Sequence, residues 1–160
     1  MKLEGSCHCG AVHFSVESPH PYPFNRCYCS ICRKTAGGGN AINLGADYST
    51  LEVDGEDKIT VFHAKISNEE NGTIEESPGE RRFCGLCGSA LWVWDPRWPE
   101  LVHPFASAID TDLPVPPDNT HMMLASRPAW VVAVVADGDR SFEAYPDESL
   151  AQWHQRHGLE

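Results

Sequence analysis

The sequence predicts a mainly β fold with few helices, because short apolar stretches alternate with turn-forming residues along most of the chain. Residues 11–16 alternate apolar and polar side chains, as a half-buried strand does. Asp54-Gly55 and Asp137-Gly138 are turn signals beside such stretches. Further short strands are expected at residues 51–53, 59–62, around 83, 90–94 and 130–135.

Two short helical segments are expected. One is a helical turn at residues 30–34, which the three glycines at 37–39 would end in a loop. The other follows Asp147, the expected N-cap, and ends at the stop signal Gly158. Its apolar and aromatic side chains at helical spacing predict packing on a sheet; they are Leu150, Trp153 and His157.

The remaining segments are interpreted as loops of one domain. Residues 65–80 are polar and acidic, which is typical of a solvated loop. The Pro-rich residues 113–117 are expected to lie within the domain, since each side is too short to fold alone. We assign residues 1–158 to a single domain and interpret Leu159 and Glu160 as a cloning remnant.

Composition excludes two classes of partner. The formal charge is −11, so the surface would repel a nucleic-acid backbone. The longest apolar run, residues 129–136, has eight residues, whereas a membrane-spanning helix needs about twenty. Glu4 and Gly5 stand where a secretory signal would be apolar, so we expect a reducing, cytoplasmic location with free or metal-bound thiols.

The seven cysteines are the chemically informative residues. They fall into three tight groups: Cys7 and Cys9; Cys27, Cys29 and Cys32; Cys84 and Cys87. An odd number cannot be used up in disulfides, and closely spaced pairs direct two sulfurs at one point, as zinc ligands do. Glycine follows Cys9, Cys84 and Cys87 and permits the tight turns, at positive φ, that such ligands need.

Seven sulfurs divide naturally into four and three. A structural zinc takes four protein ligands, whereas a catalytic zinc keeps three and leaves one position for water or substrate. The first and last groups would together form the four-sulfur site, but spacing alone also allows other divisions. A histidine could complete the remaining trio, although none is paired with a cysteine at ligand spacing; the candidates are His63, His103 and His121.

Three cysteine-containing segments carry a resemblance to a known family. They are GSCHCGAV at 5–12, CYCSICR at 27–33 and RFCGLCGS at 82–89. In this order they resemble the glutathione-dependent formaldehyde-activating enzyme family, which includes the centromere protein V group. Residues 106–110 look like the family's strand that ends in an aspartate, and residues 121–130 are similar to its C-terminal segment.

The resemblance implies a fold and two zinc sites. The family fold is a β-tent of several small antiparallel sheets pinned by a structural zinc, whose ligands correspond to Cys7, Cys9, Cys84 and Cys87. The catalytic zinc corresponds to Cys27, Cys29 and Cys32. The sequence departs from the family at Tyr28, where relatives usually have histidine. Since this residue is not a ligand in the family, the departure concerns substrate fit more than metal binding.

The resemblance also implies an activity, that of a carbon–sulfur lyase resembling S-(hydroxymethyl)glutathione synthase, which joins glutathione to formaldehyde. The chemistry of three thiolates agrees with it, because a zinc centre of net charge −1 activates water poorly but suits a substrate thiol. That thiolate would attack the carbonyl carbon of formaldehyde or another small aldehyde. Basic residues beside the trio are candidates for binding the carboxylates of glutathione: Arg26, Arg33 and Lys34.

Two alternatives are weighed against this activity. Thiols add to formaldehyde readily without a catalyst, so the chain could instead be a non-catalytic zinc module that captures thiols, aldehydes or a protein partner. A methionine sulfoxide reductase would use a related β-tent, but it needs a nucleophilic cysteine on a late strand. No cysteine follows Cys87, which disfavours this second alternative.

Overall fold

The computed structural model describes residues 1–68 and 70–159, in which twelve strands form three small sheets. The strands are β1 (Lys2–Ser6), β2 (His13–Glu17), β3 (Phe24–Cys27), β4 (Ala41–Asn43), β5 (Ala46–Asp47), β6 (Glu52–Asp54), β7 (Ile59–Ser67), β8 (Ile74–Cys84), β9 (Ala90–Trp94), β10 (Leu101–Pro104), β11 (Asn119–Met122) and β12 (Arg140–Ser141). The two α-helices are α1 (Ser30–Ala36) and α2 (Leu150–Arg156). The predicted mainly β fold with a short C-terminal helix is confirmed.

Each sheet has a different topology. The first sheet, in the order β1-β2-β6, and the second, in the order β5-β10-β9-β8-β7, are antiparallel throughout. The third sheet has the order β12-β11-β3-β4, and within it β11 runs parallel to both β3 and β12. This parallel pairing brings a late segment of the chain beside β3, which carries the first cysteine of the trio.

The main core lies between the first two sheets. Alternate residues of β1 and β2 point into it, as the buried positions of both strands show. The rings of Phe14 and Trp92 pack at 5.0 Å between centroids. Cys7 and Cys84 belong to the same buried cluster, so the four-cysteine group is attached directly to the core.

The predicted loop at residues 65–80 is wrong, because most of this segment belongs to the β7–β8 hairpin. The two strands pair antiparallel, with Lys65 opposite Glu76. Most side chains of β7 and of the first half of β8 are exposed, so the sequence lacks the apolar alternation that marks a strand. Backbone pairing between the two strands stabilises the hairpin instead. Glu69, part of the predicted loop, lies outside the described residues.

Two other predicted strands are also absent from the part of the chain that the structure describes. Residues 130–135 form a turn and an irregular segment, in which Val131 is buried and contacts Gly39 while its neighbours are exposed. Apolar residues alone do not make a strand where no partner strand is available. Residues 106–110 contain a 3₁₀ turn, Ala106–Ala108, and Asp110 accepts a hydrogen bond from the Ser6 hydroxyl at 2.6 Å.

Both helices occur where they were expected. Helix α1 ends at Gly37, whose φ of 74° only glycine adopts readily. The N-cap of α2 is Ser149 rather than Asp147, because Ser149 and Gln152 form a reciprocal capping box, whereas the Asp147 carboxylate accepts a hydrogen bond from Arg140. None of the helices in the described residues has the length and apolar character that crossing a membrane requires.

Trp153 fastens α2 to the rest of the fold. Its side chain is 1% exposed, and its Nε1–H donates to Asp118 Oδ1 at 3.0 Å. We expect Trp153→Ala to lower the free energy of unfolding by about 3–5 kcal/mol, measured by urea denaturation. Trp130 is 70% exposed, so the control Trp130→Ala should cost about 0.5 kcal/mol or less. Equal losses in the two variants would show that α2 is not anchored in this way.

Candidate metal centres

The structure brings the first and last cysteine groups together. The Sγ atoms of Cys7, Cys9, Cys84 and Cys87 all lie within 4.8 Å of one another. Cys9 Sγ is 3.5 Å from Cys7 Sγ and 3.8 Å from Cys84 Sγ, far longer than the disulfide bond of about 2.05 Å. The four thiols are free, and their arrangement is that of a four-sulfur metal site.

Two similar turns hold these four sulfurs. In the first turn Gly10 N–H donates to Cys7 O at 3.0 Å, and in the second Gly88 N–H donates to Cys84 O at 2.8 Å. The φ angles of the two glycines are 74° and 76°, so the predicted need for positive φ is confirmed at both. Gly85 serves a different purpose, since a Cβ there would lie 2.7 Å from Thr60 Oγ1.

The surroundings of the four-cysteine cluster act differently on its sulfurs. A backbone hydrogen bond from Ala11 lowers the pKa of Cys9, but the neighbouring thiols, first that of Cys7, outweigh it and raise the pKa to about 12. The Ser89 hydroxyl lies 3.2 Å from Cys87 Sγ and lowers the pKa of Cys87 to about 5. Burial raises the pKa of Cys7, but hydrogen bonds, first among them that from Val12 N–H at 3.2 Å, outweigh burial and leave it lowered. Four thiolates this close would repel one another, so the cluster fits a divalent cation that neutralises them.

The three remaining cysteines form a second cluster, whose Sγ atoms also lie within 4.8 Å of one another. Cys27 ends β3, Cys29 is the N-cap of α1, and Cys32 lies in the first turn of that helix. The sulfur of Cys29 accepts a hydrogen bond from Cys32 N–H at 3.3 Å. A strand end and a helix start therefore fix the trio, with Cys27 and Cys32 buried and Cys29 half-buried.

Charge within the trio is unevenly shared. Hydrogen bonds from the thiols of Cys27 and Cys32 lower the pKa of Cys29 to about 2, while the interaction with Cys29 and Cys32 raises the pKa of Cys27. The pKa values of the three thiols are thus driven apart, so without a cation they do not ionise together. Three thiolates require a cation among them, so the trio also fits a metal, with three protein ligands rather than four.

Arg81 is a neighbour of the trio that sequence reasoning missed. Its Nη2 lies 3.6 Å from Cys32 Sγ, and its Nη1 donates to Thr35 Oγ1 at 3.4 Å. Arg81 belongs to β8, and only the tertiary fold brings this strand beside α1, so no local motif could have identified it. Its positive charge partly balances the anionic sulfurs.

The three basic residues predicted to bind substrate lie in different surroundings. Arg26 precedes Cys27 on β3, so its side chain occupies the opposite face of the third sheet, where its Nε donates to Asn119 Oδ1 at 3.1 Å. Arg33 lies on α1, and its buried Nε has no hydrogen-bond partner among the described residues. Lys34, also on α1, is exposed.

Tyr28 connects the trio to a buried hydrogen-bonded chain. Its hydroxyl lies 3.1 Å from His121 Nδ1, and His121 Nε2 lies 2.9 Å from Asp139 Oδ2. Both ring nitrogens of His121 are therefore engaged. His63 and His103 direct Nδ1 at backbone carbonyls, and within the described residues the candidate metal clusters contain cysteine only.

Comparison with known proteins agrees with this arrangement of cysteines. The profile of the glutathione-dependent formaldehyde-activating enzyme family matches residues 2–125. The chain belongs to this family. A protein of Halomonas elongata is 63% identical to this chain, and the match covers all of this chain and 99% of that protein. Its name assigns it provisionally to the glutathione-dependent formaldehyde-activating enzymes.

A solved structure is also similar. The crystal structure of a Rhodobacter sphaeroides protein superposes with a TM-score of 0.53 at 28% identity, over 71% of this chain and 92% of that one. Both cysteine clusters lie within the segment that matches the family of glutathione-dependent formaldehyde-activating enzymes. Asp139 and α2 lie beyond that segment.

Asp139 should make stability depend on acid pH. Burial raises its pKa, but hydrogen bonds from Asn119 N–H, His121 and Ala136 N–H lower it to about 2. The carboxylate therefore stabilises the fold above its unfolded pKa, by about 2 kcal/mol, and this contribution is lost as pH falls from about 5 to 2.

We expect Asp139→Asn to reduce the free energy of unfolding at pH 7 by about 2 kcal/mol. The difference from the wild type should shrink towards pH 2, followed by denaturant unfolding at a series of pH values. The exposed Asp112→Asn is the matched control and should follow the wild type. A gap that is constant with pH would contradict the assignment.

Proposed function

We propose that the protein is a zinc-dependent carbon–sulfur lyase resembling S-(hydroxymethyl)glutathione synthase, which joins the thiol of glutathione to formaldehyde or a small aldehyde. The observation that carries this proposal is the three-sulfur cluster, separate from the four-sulfur one. When bound by Cys27, Cys29 and Cys32, Zn²⁺ would supply ionisation and orientation of a substrate thiol. In this proposal a structural Zn²⁺ is held by Cys7, Cys9, Cys84 and Cys87.

The residues around the trio have distinct roles in the proposal. The end of β3 and the start of α1 keep the three sulfurs in place, so little reorganisation accompanies substrate binding. Arg81, beside Cys32, attracts an anionic substrate to a centre that is itself negative. Arg33 and Lys34 on α1 are proposed to bind glutathione carboxylates, with Arg26 assisting in this while it also joins β3 to β11.

The reaction is a nucleophilic addition. The thiolate sulfur attacks the carbonyl carbon, a carbon–sulfur bond forms, and the electron pair of the carbonyl moves to oxygen. That oxygen takes a proton from solvent, which replaces the proton lost by the thiol, and the product is a hydroxymethyl thioether. The chemistry needs free thiols, so the proposed location is the cytoplasm, where they stay reduced; all seven cysteines are free in the structure.

Turnover distinguishes an enzyme from a zinc module that only captures its ligands. We expect the wild type to accelerate the condensation of glutathione and formaldehyde saturably above the uncatalysed rate, followed by NMR exchange of the methylene protons. Cys29→Ala should remove the acceleration while the circular dichroism spectrum is unchanged. The exposed Ser126→Ala serves as the control and should retain it. Acceleration no greater than that of an equal concentration of free zinc would reject the enzyme.

The two clusters should differ in their effect on stability. Cys84 belongs to a closed site that joins distant segments, so Cys84→Ala should leave the chain unfolded or aggregated. Cys32→Ala should instead lower the zinc content by about one equivalent and leave the fold intact. Native mass spectrometry and thermal melting measure both quantities. The same loss of zinc and of stability in the two variants would contradict the division into structural and catalytic sites.

A further inference from the structure

Tyr28 is the single residue between two cysteines of the trio, and it is held both at its backbone and at its side chain. Its N–H donates to Met122 O at 3.0 Å, and its hydroxyl lies 3.1 Å from His121 Nδ1. Both partners belong to β11. The segment that joins Cys27 to Cys29 is therefore fastened to a strand that lies far along the chain.

The two faces of the third sheet carry different groups. Thr120 and Met122 of β11 line a cavity of about 690 Å³ beside the sheet. His121 lies between them, so its side chain projects from the opposite face. Cys27 is the register partner of Met122 and shares its face, whereas Tyr28 contacts His121. Tyr28 thus supports the ligand segment from the side of the sheet opposite to the Cys27 sulfur.

Asp139 fixes the direction of the hydrogen bonds in this buried chain. Its carboxylate oxygens only accept, and Oδ2 lies 2.9 Å from His121 Nε2, so Nε2 carries a proton. In the neutral imidazole Nδ1 is then the acceptor, and the Tyr28 hydroxyl donates to it. The chain of hydrogen bonds therefore runs from Tyr28 through His121 to Asp139.

Asp139 is the anchor of the chain. Its side chain is 4% exposed. Besides the bond from His121, its carboxylate accepts from Asn119 N–H at 2.7 Å, from Asn119 Nδ2 at 3.2 Å and from Ala136 N–H at 3.0 Å. Four donors on one carboxylate leave it little freedom to rotate. The carboxylate thus holds the His121 ring in place, and the ring holds the Tyr28 side chain.

Cysteine ligands need support of this kind. A histidine ligand has a second ring nitrogen through which a neighbouring group can orient it, but a thiolate has no second atom of that sort. The backbone that carries Cys27 and Cys29 must therefore be held instead. Tyr28 supplies two fixed points in the one residue between them.

We propose that Tyr28, His121 and Asp139 are positioning residues, which hold residues 27–29 so that the three sulfurs of the trio converge on one metal ion. This inference rests on the proposed function for the presence of a metal at the trio. The three residues act through the backbone of residues 27–29 rather than by touching the metal. Asp139 lies beyond the segment that matches the family, so the family match does not account for this arrangement.

Tyr28→Phe tests the inference, because it removes only the hydroxyl. The probe is Co²⁺, titrated without oxygen into full-length protein that keeps zinc in the four-cysteine site after a chelator has removed the more weakly bound equivalent. Thiolate-to-cobalt absorption then reports on the trio, and Cys29→Ala should lack this signal. We expect Tyr28→Phe to raise the Kd of the trio for Co²⁺ about 10-fold.

A second variant tests the far end of the chain. In Asp139→Asn an amide nitrogen replaces one acceptor oxygen, so the His121 ring is held less firmly, and the Kd of the trio should rise about 3-fold. If Asp139 acts through Tyr28, the double variant should show about the 10-fold rise of Tyr28→Phe alone. A rise of about 30-fold would show that the two residues act independently and would overturn the proposed chain.

Two controls separate positioning from stability. Tyr48→Phe also removes a hydroxyl, from a ring that stacks on Trp94 of the second sheet, and should leave the Kd unchanged. Val16→Ala, in the main core, should lower the melting temperature and also leave the Kd unchanged. A Kd within about 2-fold of the wild type in Tyr28→Phe, or an equal rise in Val16→Ala, would overturn the proposal.

Binding of Co²⁺ is measured without turnover, so the positioning role and the enzyme can fail separately. If Tyr28→Phe weakens Co²⁺ binding but the wild type does not accelerate the condensation, the positioning role stands and the enzyme does not. If acceleration depends on Cys29 while Tyr28→Phe binds Co²⁺ as the wild type does, the enzyme stands and the positioning role does not. A wild type without the cobalt signal of the trio would overturn both.

Discussion

Crowding of ionisable sulfur is the constraint on which this structure depends. Each cluster holds its Sγ atoms within 4.8 Å of one another, close enough that the thiolates repel unless a cation lies among them. The effect is visible in the trio, where the pKa of Cys29 is lowered to about 2 while that of Cys27 is raised. A cation among the sulfurs would let them ionise together, so the proposed metal binding would couple stability to chemistry.

The third sheet places the crowded sulfurs of the trio beside a cavity. Pairing of β11 with β3 places Met122 beside Cys27 and Thr120 beside Asn25, so one sheet face carries both a sulfur ligand and the polar lining of a cavity. The opposite face of the same strands is occupied by Arg26, Tyr28 and His121, whose hydrogen bonds join β3 to β11. One face thus carries Cys27 and the cavity lining, and the other carries hydrogen bonds between β3 and β11.

Much of the fold and the cysteine grouping could be predicted because the signals are local. Closely spaced ligands, glycines at positive φ and the alternation in β2 depend on a few neighbouring residues. The wrong predictions concern segments whose structure is decided by distant partners. β7 and the first half of β8 pair with each other although most of their side chains are exposed, and residues 130–135 find no partner strand in the described chain. Arg81 was missed for the same reason, since only a tertiary contact brings it beside Cys32.

The spacing of the ligands has a consequence for biosynthesis. Cys27, Cys29 and Cys32 lie close together in the sequence, at the end of β3 and the start of α1. A nascent chain leaving the ribosome can therefore bring the three sulfurs together at little cost in loop entropy. The other cluster must wait until Cys84 and Cys87 have been translated. In the proposed function, the ligands of the catalytic zinc are therefore complete before those of the structural zinc.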